Sequence, residues 1–150
     1  HGTSSLPPVC GGVATFAGSD QLAAFADGLD IVVSVLPLTP ETTGIMNAGF
    51  FGMLADGAFI INGGRGPQVD DDDLLAALDS GKLDGAALDV FAVEPLPQDH
   101  PFWTHPKVRV WPHVAAQTNA TSAAEQVAAA ITAMMDGSEP ANRVDWSRGY

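Results

Sequence analysis

Short apolar runs with little alternation recur along this chain, separated by stretches that carry helix caps and helical spacing. The runs are residues 30–36 (Asp-Ile-Val-Val-Ser-Val-Leu), 58–61 (Ala-Phe-Ile-Ile), 86–90 (Ala-Ala-Leu-Asp-Val) and 108–111 (Val-Arg-Val-Trp). Runs of this kind suit strands buried on both faces, as in a parallel sheet under helices. Between them the pattern turns helical. Ser19 is placed to cap a helix reaching Gly28, with Leu22, Phe25 and Ala26 on one face. Asn47 is placed to cap a second, ending at Leu54, and Asp56-Gly57 reads as the turn into the next strand. Asp70, Asp71, Asp72 and Asp73 open a third that Gly81 ends. Thr118 or Asn119 opens an Ala-rich helix to Met135, whose face of Ala123, Val127, Ala130, Ile131 and Met134 needs a partner surface. Residues 1–12, rich in Ser, Pro and Gly, read as a loop, and residues 91–106 as a proline-rich one. Helix and strand alternate four times, which predicts an α/β fold with a doubly wound parallel sheet.

Composition narrows the function classes. At 150 residues the chain is one domain's worth, and 46% hydrophobic against 16% charged residues is a globular balance. A formal charge of −12 with six Lys and Arg argues against nucleic-acid and anionic-membrane partners. No apolar run approaches ~18 residues, so no membrane span is expected. The lone Cys10 excludes an internal disulfide and leaves a reducing cytoplasm as the default location. The four aspartates at 70–73 lie at a helix start, where acids are favoured. One face of one turn cannot offer all four to one ion, so no metal is expected there.

Parallel strands bring their carboxyl ends to one edge, so polar groups far apart in sequence can meet there. Arg65 follows the run 58–61 through Asn62-Gly63-Gly64, Asp89 stands at the end of the next run with Glu94 beyond it, and His113 follows the last. A carboxylate beside an imidazole stabilises its protonated form, and an arginine fork matches a carboxylate. Together they describe reduction of a 2-keto acid. Each also has a structural explanation: a satisfied histidine, a loop carboxylate, an arginine salt bridge. His100 and His105 have no partner at metal-ligand spacing, and Phe102, Trp103 and Trp111 read as packing residues.

In these same stretches the chain resembles the D-isomer-specific 2-hydroxyacid dehydrogenases, and most of all their glyoxylate/hydroxypyruvate reductase A branch. The likeness rests on Leu-Pro-Leu-Thr-Pro-Glu-Thr at 36–42, Ile-Asn-Gly-Gly-Arg-Gly at 61–66, Asp-Asp-Leu-Leu-Ala-Ala-Leu-Asp-Ser-Gly-Lys at 72–82 and Leu-Asp-Val-Phe at 88–91. It continues in Glu-Pro-Leu-Pro at 94–97, Pro-His-Val-Ala-Ala at 112–116 and Val-Asp-Trp-Ser-Arg-Gly-Tyr at 144–150. It implies that His113 is the acid–base, Glu94 its carboxylate partner, and Arg65 the group that binds the substrate carboxylate. It implies that Asp89 holds the nicotinamide carboxamide, with Leu36, Pro37, Thr39, Asn62, Gly63 and Ser4 beside the cofactor. The cofactor so implied is NADP or NAD, with NADP preferred, and the substrate a small 2-keto acid.

The resemblance further implies a homodimer and a partial Rossmann-like sheet. Residues 1–116 would then be the second half of the cofactor domain, and 117–150 a helix and tail returning to the substrate domain. No G-x-G-x-x-G follows a strand here, and the first residue is His1, so the chain is expected to be the C-terminal half and inactive alone. Two other readings remain: a dinucleotide-sensing interaction protein of the corepressor kind, and an inactive fragment.

Overall fold

The computed structural model describes residues 9–10 and 12–144, and Ser4 and residues 145–150 lie outside them. The chain forms two compact units, His1–His113 and Val114–Tyr150. In the first, β1 (Val9–Cys10) pairs antiparallel with β2 (Val13–Ala14). This small ladder falls partly in the stretch expected to be loop, where two valines flank a glycine turn with Gly12 at φ 86°.

The main sheet runs β3 (Ile31–Ser34), β4 (Ala58–Asn62), β5 (Leu83–Leu88) and β6 (Val108–Val110), in sequence order and all parallel. Helix α1 (Leu22–Ala26) leads into β3, α2 (Ala48–Met53) connects β3 to β4, and α3 (Asp71–Asp79) connects β4 to β5. The α/β class and the parallel sheet are those the sequence predicts. The caps follow chemistry. Asn47 accepts from the Phe50 N–H and Asp70 from the Asp73 N–H, each closing a first turn. Ser19 makes no such cap; it lies inside a 3₁₀ turn (Ser19–Gln21) that precedes α1.

The core lies between α1–α3 and one face of the sheet. Val32, Ile60, Ala86 and Val108 form one cross-strand row, buried against Phe50, Phe51, Leu74 and Leu78. Full burial of a side chain such as Ile60 or Leu74 stabilises by about 1.5–3 kcal/mol. The opposite face differs from expectation. Ile31, Val33, Phe59 and Ile61 keep 59, 59, 47 and 40% of their surface accessible. Their lack of alternation suits burial on both faces, but within this unit the helices cover only one.

The acidic run is absorbed by structure. Asp70 caps α3, Asp73 accepts from the Ala48 N–H at the start of α2, and Asp71 lies 3.6 Å from His100. Burial raises the Asp71 carboxyl above its ordinary range, against the pull of His100. His105 pairs with Asp79 at 3.2 Å, so two histidines tie the proline-rich loop to both ends of α3. In the second unit, α4 (Ala120–Met135) is capped by Asn119, which accepts from the Thr121 and Ser122 N–H groups. Among the described residues no helix is long and apolar enough to cross a membrane.

Candidate active site

Ser34, Asn62, Leu88 and Val110 stand in one cross-strand row at the carboxyl ends of the four parallel strands. The residues that follow each strand therefore emerge at one edge. Leu36, Arg65, Asp89 with Glu94, and His113 all do so.

The turn carrying Arg65 is shaped from below. Asn62 is buried; its Oδ1 accepts from the Gly64 N–H at 3.0 Å and its Nδ2 donates to the Arg65 carbonyl at 3.2 Å. The Gly63 N–H donates to the Ser34 carbonyl. The next two glycines permit close approach. A Cβ on Gly64 would meet the Gln68 Oε1 at 2.6 Å and the Leu36 carbonyl oxygen at 2.9 Å. A Cβ on Gly66 would overlap the Phe91 carbonyl and the Ala92 nitrogen. The Arg65 turn is thus wedged between the segment after β3 and the segment after β5. The Arg65 side chain itself is exposed, with Nη1 donating to the Gly64 carbonyl at 2.7 Å.

The second part of the site is an ion pair. Glu94 Oε2 lies 2.8 Å from His113 Nδ1, and Oε1 accepts from the Phe91 N–H at 2.9 Å. An ionised carboxylate only accepts, so Nδ1 carries a proton and Nε2 is left for a second partner. The His113 hydrogen bond, helped by the Phe91 N–H, holds the Glu94 carboxyl below its usual range. The charges of His113 and Arg65 add to that lowering, so Arg65 acts within electrostatic reach of the pair. His113 sits at φ 57°, a left-handed backbone uncommon for a residue with a Cβ. A cleft of about 410 Å³ opens on the pair, walled by Phe91, Leu96, Trp103 and Val110. Phe102 is fully packed, whereas Trp103 and Trp111 keep half their surface exposed.

The expected cofactor residues share this edge. Leu36 and Pro37 are exposed, and Thr39 is buried, its carbonyl accepting from the Thr42 and Thr43 N–H groups. Asp89 is buried just beyond β5, its N–H donating to the Asn62 carbonyl. Asp89 thus stands buried at the carboxyl edge of the sheet, where ligands of open α/β sheets bind. The Asn62 carboxamide is engaged inside the turn. Ser4 lies outside the described residues. Among those residues no group of three or more His, Cys, Asp or Glu side chains could hold a metal ion.

Sequence reasoning missed Gln68, which is completely buried and bonded to both Leu36 and Arg65. Its only signal was a polar residue between the glycine-rich turn and Val69.

Comparison with known proteins gives a consistent picture. A family model described as D-isomer specific 2-hydroxyacid dehydrogenase, NAD binding domain, matches residues 13–115. A glyoxylate/hydroxypyruvate reductase A of Serratia proteamaculans is 50% identical over 98% of this chain and 47% of that protein. The chain spans about half the length of the curated relatives it matches. A D-isomer specific 2-hydroxyacid dehydrogenase of Xanthobacter autotrophicus, solved with NADPH and MES, superposes with a TM-score of 0.92 at 46% identity. That match covers 98% of this chain and 61% of the other. An NADPH-dependent glyoxylate/hydroxypyruvate reductase of Sinorhizobium meliloti, solved with NADP and sulfate, gives 0.90 at 39% identity, covering 98% and 48%.

Proposed function

The chain belongs to the D-isomer-specific 2-hydroxyacid dehydrogenase family, the model of whose NAD binding domain matches residues 13–115, and from that premise we propose that it is the catalytic half of an NAD(P)H-dependent reductase of small 2-keto acids. The substrate is of the glyoxylate or hydroxypyruvate type, and the product is the D-2-hydroxy acid. The observation that carries this reading is the 2.8 Å contact between Glu94 Oε2 and His113 Nδ1, with Arg65 in electrostatic reach.

The nicotinamide, when bound, supplies the hydride. Every other role falls to side chains. Arg65 binds the substrate carboxylate as a fork and turns the keto group toward His113. His113 gives the proton at Nε2 to the developing alkoxide, and Glu94 holds the ring at Nδ1 and stabilises its protonated form. Asp89 would hold the carboxamide of the nicotinamide, Leu36, Pro37, Thr39, Asn62 and Gly63 would hold the rest of the cofactor, and Ser4 would join them. NADP is preferred over NAD, in keeping with the ligands of the Xanthobacter and Sinorhizobium structures. In this reading residues 1–116 complete a cofactor domain, residues 117–150 return to a substrate domain, the assembly is a homodimer, and the 150 residues alone are inactive.

A chimera joining this chain to the preceding half of the Serratia relative tests the reading. It is expected to oxidise NADPH with glyoxylate, and His113→Ala is expected to cut kcat by roughly 10²–10⁴-fold. A His113→Ala chimera with the parent rate would overturn the assignment.

A further inference from the structure

Gln68 has no place in the chemistry above, yet its side chain is the most completely used polar group among the described residues near the site. It follows the Arg65 turn in a 3₁₀ segment (Gly66–Gln68) and has no accessible surface. Its Nε2 donates to the Leu36 carbonyl and to the Pro37 carbonyl, both at 3.0 Å. Its Oε1 accepts from the Arg65 N–H at 3.1 Å and from the Ser34 hydroxyl at 3.3 Å. A carboxamide offers two donors and one acceptor oxygen with two lone pairs, so its whole capacity is spent here.

These partners lie on two strand ends. Leu36 and Pro37 follow β3 and Arg65 follows β4, so a single neutral group bridges segments about thirty residues apart in sequence. The bridge leaves no room beside it, because a Cβ on Gly64 would run into both the Gln68 Oε1 and the Leu36 backbone. The fully paired geometry also fixes the amide's orientation. Both carbonyls need the NH₂ side, and the Arg65 N–H and Ser34 hydroxyl meet the oxygen.

We propose that Gln68 is a positioning residue: its carboxamide clamps the Leu36–Pro37 segment to the Arg65 turn, so that the cofactor-lining backbone and the substrate-binding arginine are held as one rigid piece. Its functional consequence rests on the reading above, in which Leu36 and Pro37 line the cofactor and Arg65 binds the substrate carboxylate. The clamp itself does not. Buried, uncharged and bonded through short contacts, it sets the spacing between the two segments without titrating in the working pH range.

Amide hydrogen exchange of the 150-residue chain tests the clamp apart from any activity. In the unmodified chain the Gln68 side-chain NH₂ is expected to exchange at least about tenfold more slowly than those of the exposed Gln21 and Gln98. Equal rates would overturn the clamp, and this measurement needs no variant. In Gln68→Met, which keeps the bulk and removes all four bonds, the Arg65 N–H is expected to exchange about tenfold faster while the Phe51 and Leu74 amides are unchanged. Faster exchange everywhere, or an unchanged Arg65, would overturn it.

The kinetic consequence is read in the chimera. Gln68→Met is expected to raise the KM for glyoxylate by about tenfold, because Arg65 is no longer held at its distance from the cofactor-lining segment. Mere loss of folded enzyme would lower kcat and leave KM alone, and that outcome would reduce Gln68 to a structural residue. If the unmodified chimera reduced no keto acid while the exchange results held, the functional reading would fall and the clamp would stand.

Discussion

The two parts of the candidate site are held by opposite means. The Arg65 turn rests on neutral groups sunk in the protein, with Asn62 and Gln68 retaining 1 and 0% of their surface, and on glycines with no room for a side chain. The His113–Glu94 pair rests on charge at the surface, its side chains 48 and 35% exposed, on a left-handed backbone after β6 and a proline-rich loop. A neutral buried amide gains its full hydrogen-bond strength from the low dielectric and ignores pH. An exposed ion pair gains little stability, because water and salt screen it, but it keeps a proton available for exchange. The proposed function asks a fixed distance of Arg65 and an accessible proton of His113, and the two constructions suit those proposed roles.

Substitutions in the two parts should therefore behave differently. The largest effect is expected for Gly66→Ala. Its Cβ would overlap the Phe91 backbone, prying the two segments apart and destabilising the fold by about 2–4 kcal/mol in urea titration. A change under about 0.5 kcal/mol would show the wedge to be soft. Next is Asn62→Leu, which strands the Gly64 N–H and the Arg65 carbonyl and is expected to cost about 2–3 kcal/mol, independent of pH between 5 and 8.

The smallest change in stability, under about 1 kcal/mol at pH 7, is expected for Glu94→Gln. Its signature is pH dependence. The folded-state pKa of Glu94 lies below its ordinary value of 4.5, so its contribution is present above that value and disappears as pH falls through the lowered one. Urea titrations at pH 7 and pH 3 should find the variant slightly weaker at the first and the difference smaller at the second. A loss as large as that of Asn62→Leu, or one unchanged at pH 3, would erase the contrast between the two parts.

Asp71 offers a further control away from the site. Burial raises its carboxyl, so the charge it carries at neutral pH opposes folding, and stability from the protonated form is lost as pH rises through the raised value. Asp71→Asn is expected to raise the thermal midpoint slightly at pH 7 and to lose that gain below about pH 4. A lower midpoint at pH 7 would mean that the His100 contact outweighs desolvation.

Much of the site was legible because its logic is local or topological. Arg65, Glu94 and His113 each follow an apolar run and Asp89 stands at the end of one, and parallel pairing alone brings such positions to one edge. The cap at Asn47 was equally legible, and Asn119 was one of two candidates with Thr118, since a cap is made with a backbone group two or three residues away. Gln68 was not, because its partners Ser34, Leu36 and Pro37 are thirty or more residues distant and nothing near it in sequence announces them. The role of Gly66 was hidden for the same reason, its neighbour being the backbone of Phe91.

By itself the sequence determined the order of strands and helices, the α/β class and the chemical types waiting at the strand ends, since period, caps and turn residues act over a few positions. Only the tertiary structure decided which face of the sheet was covered, which aspartate met which histidine, and which buried amide joined Arg65 to Leu36. Those outcomes depend on distances between segments remote along the chain, and such distances exist only once the sheet has formed.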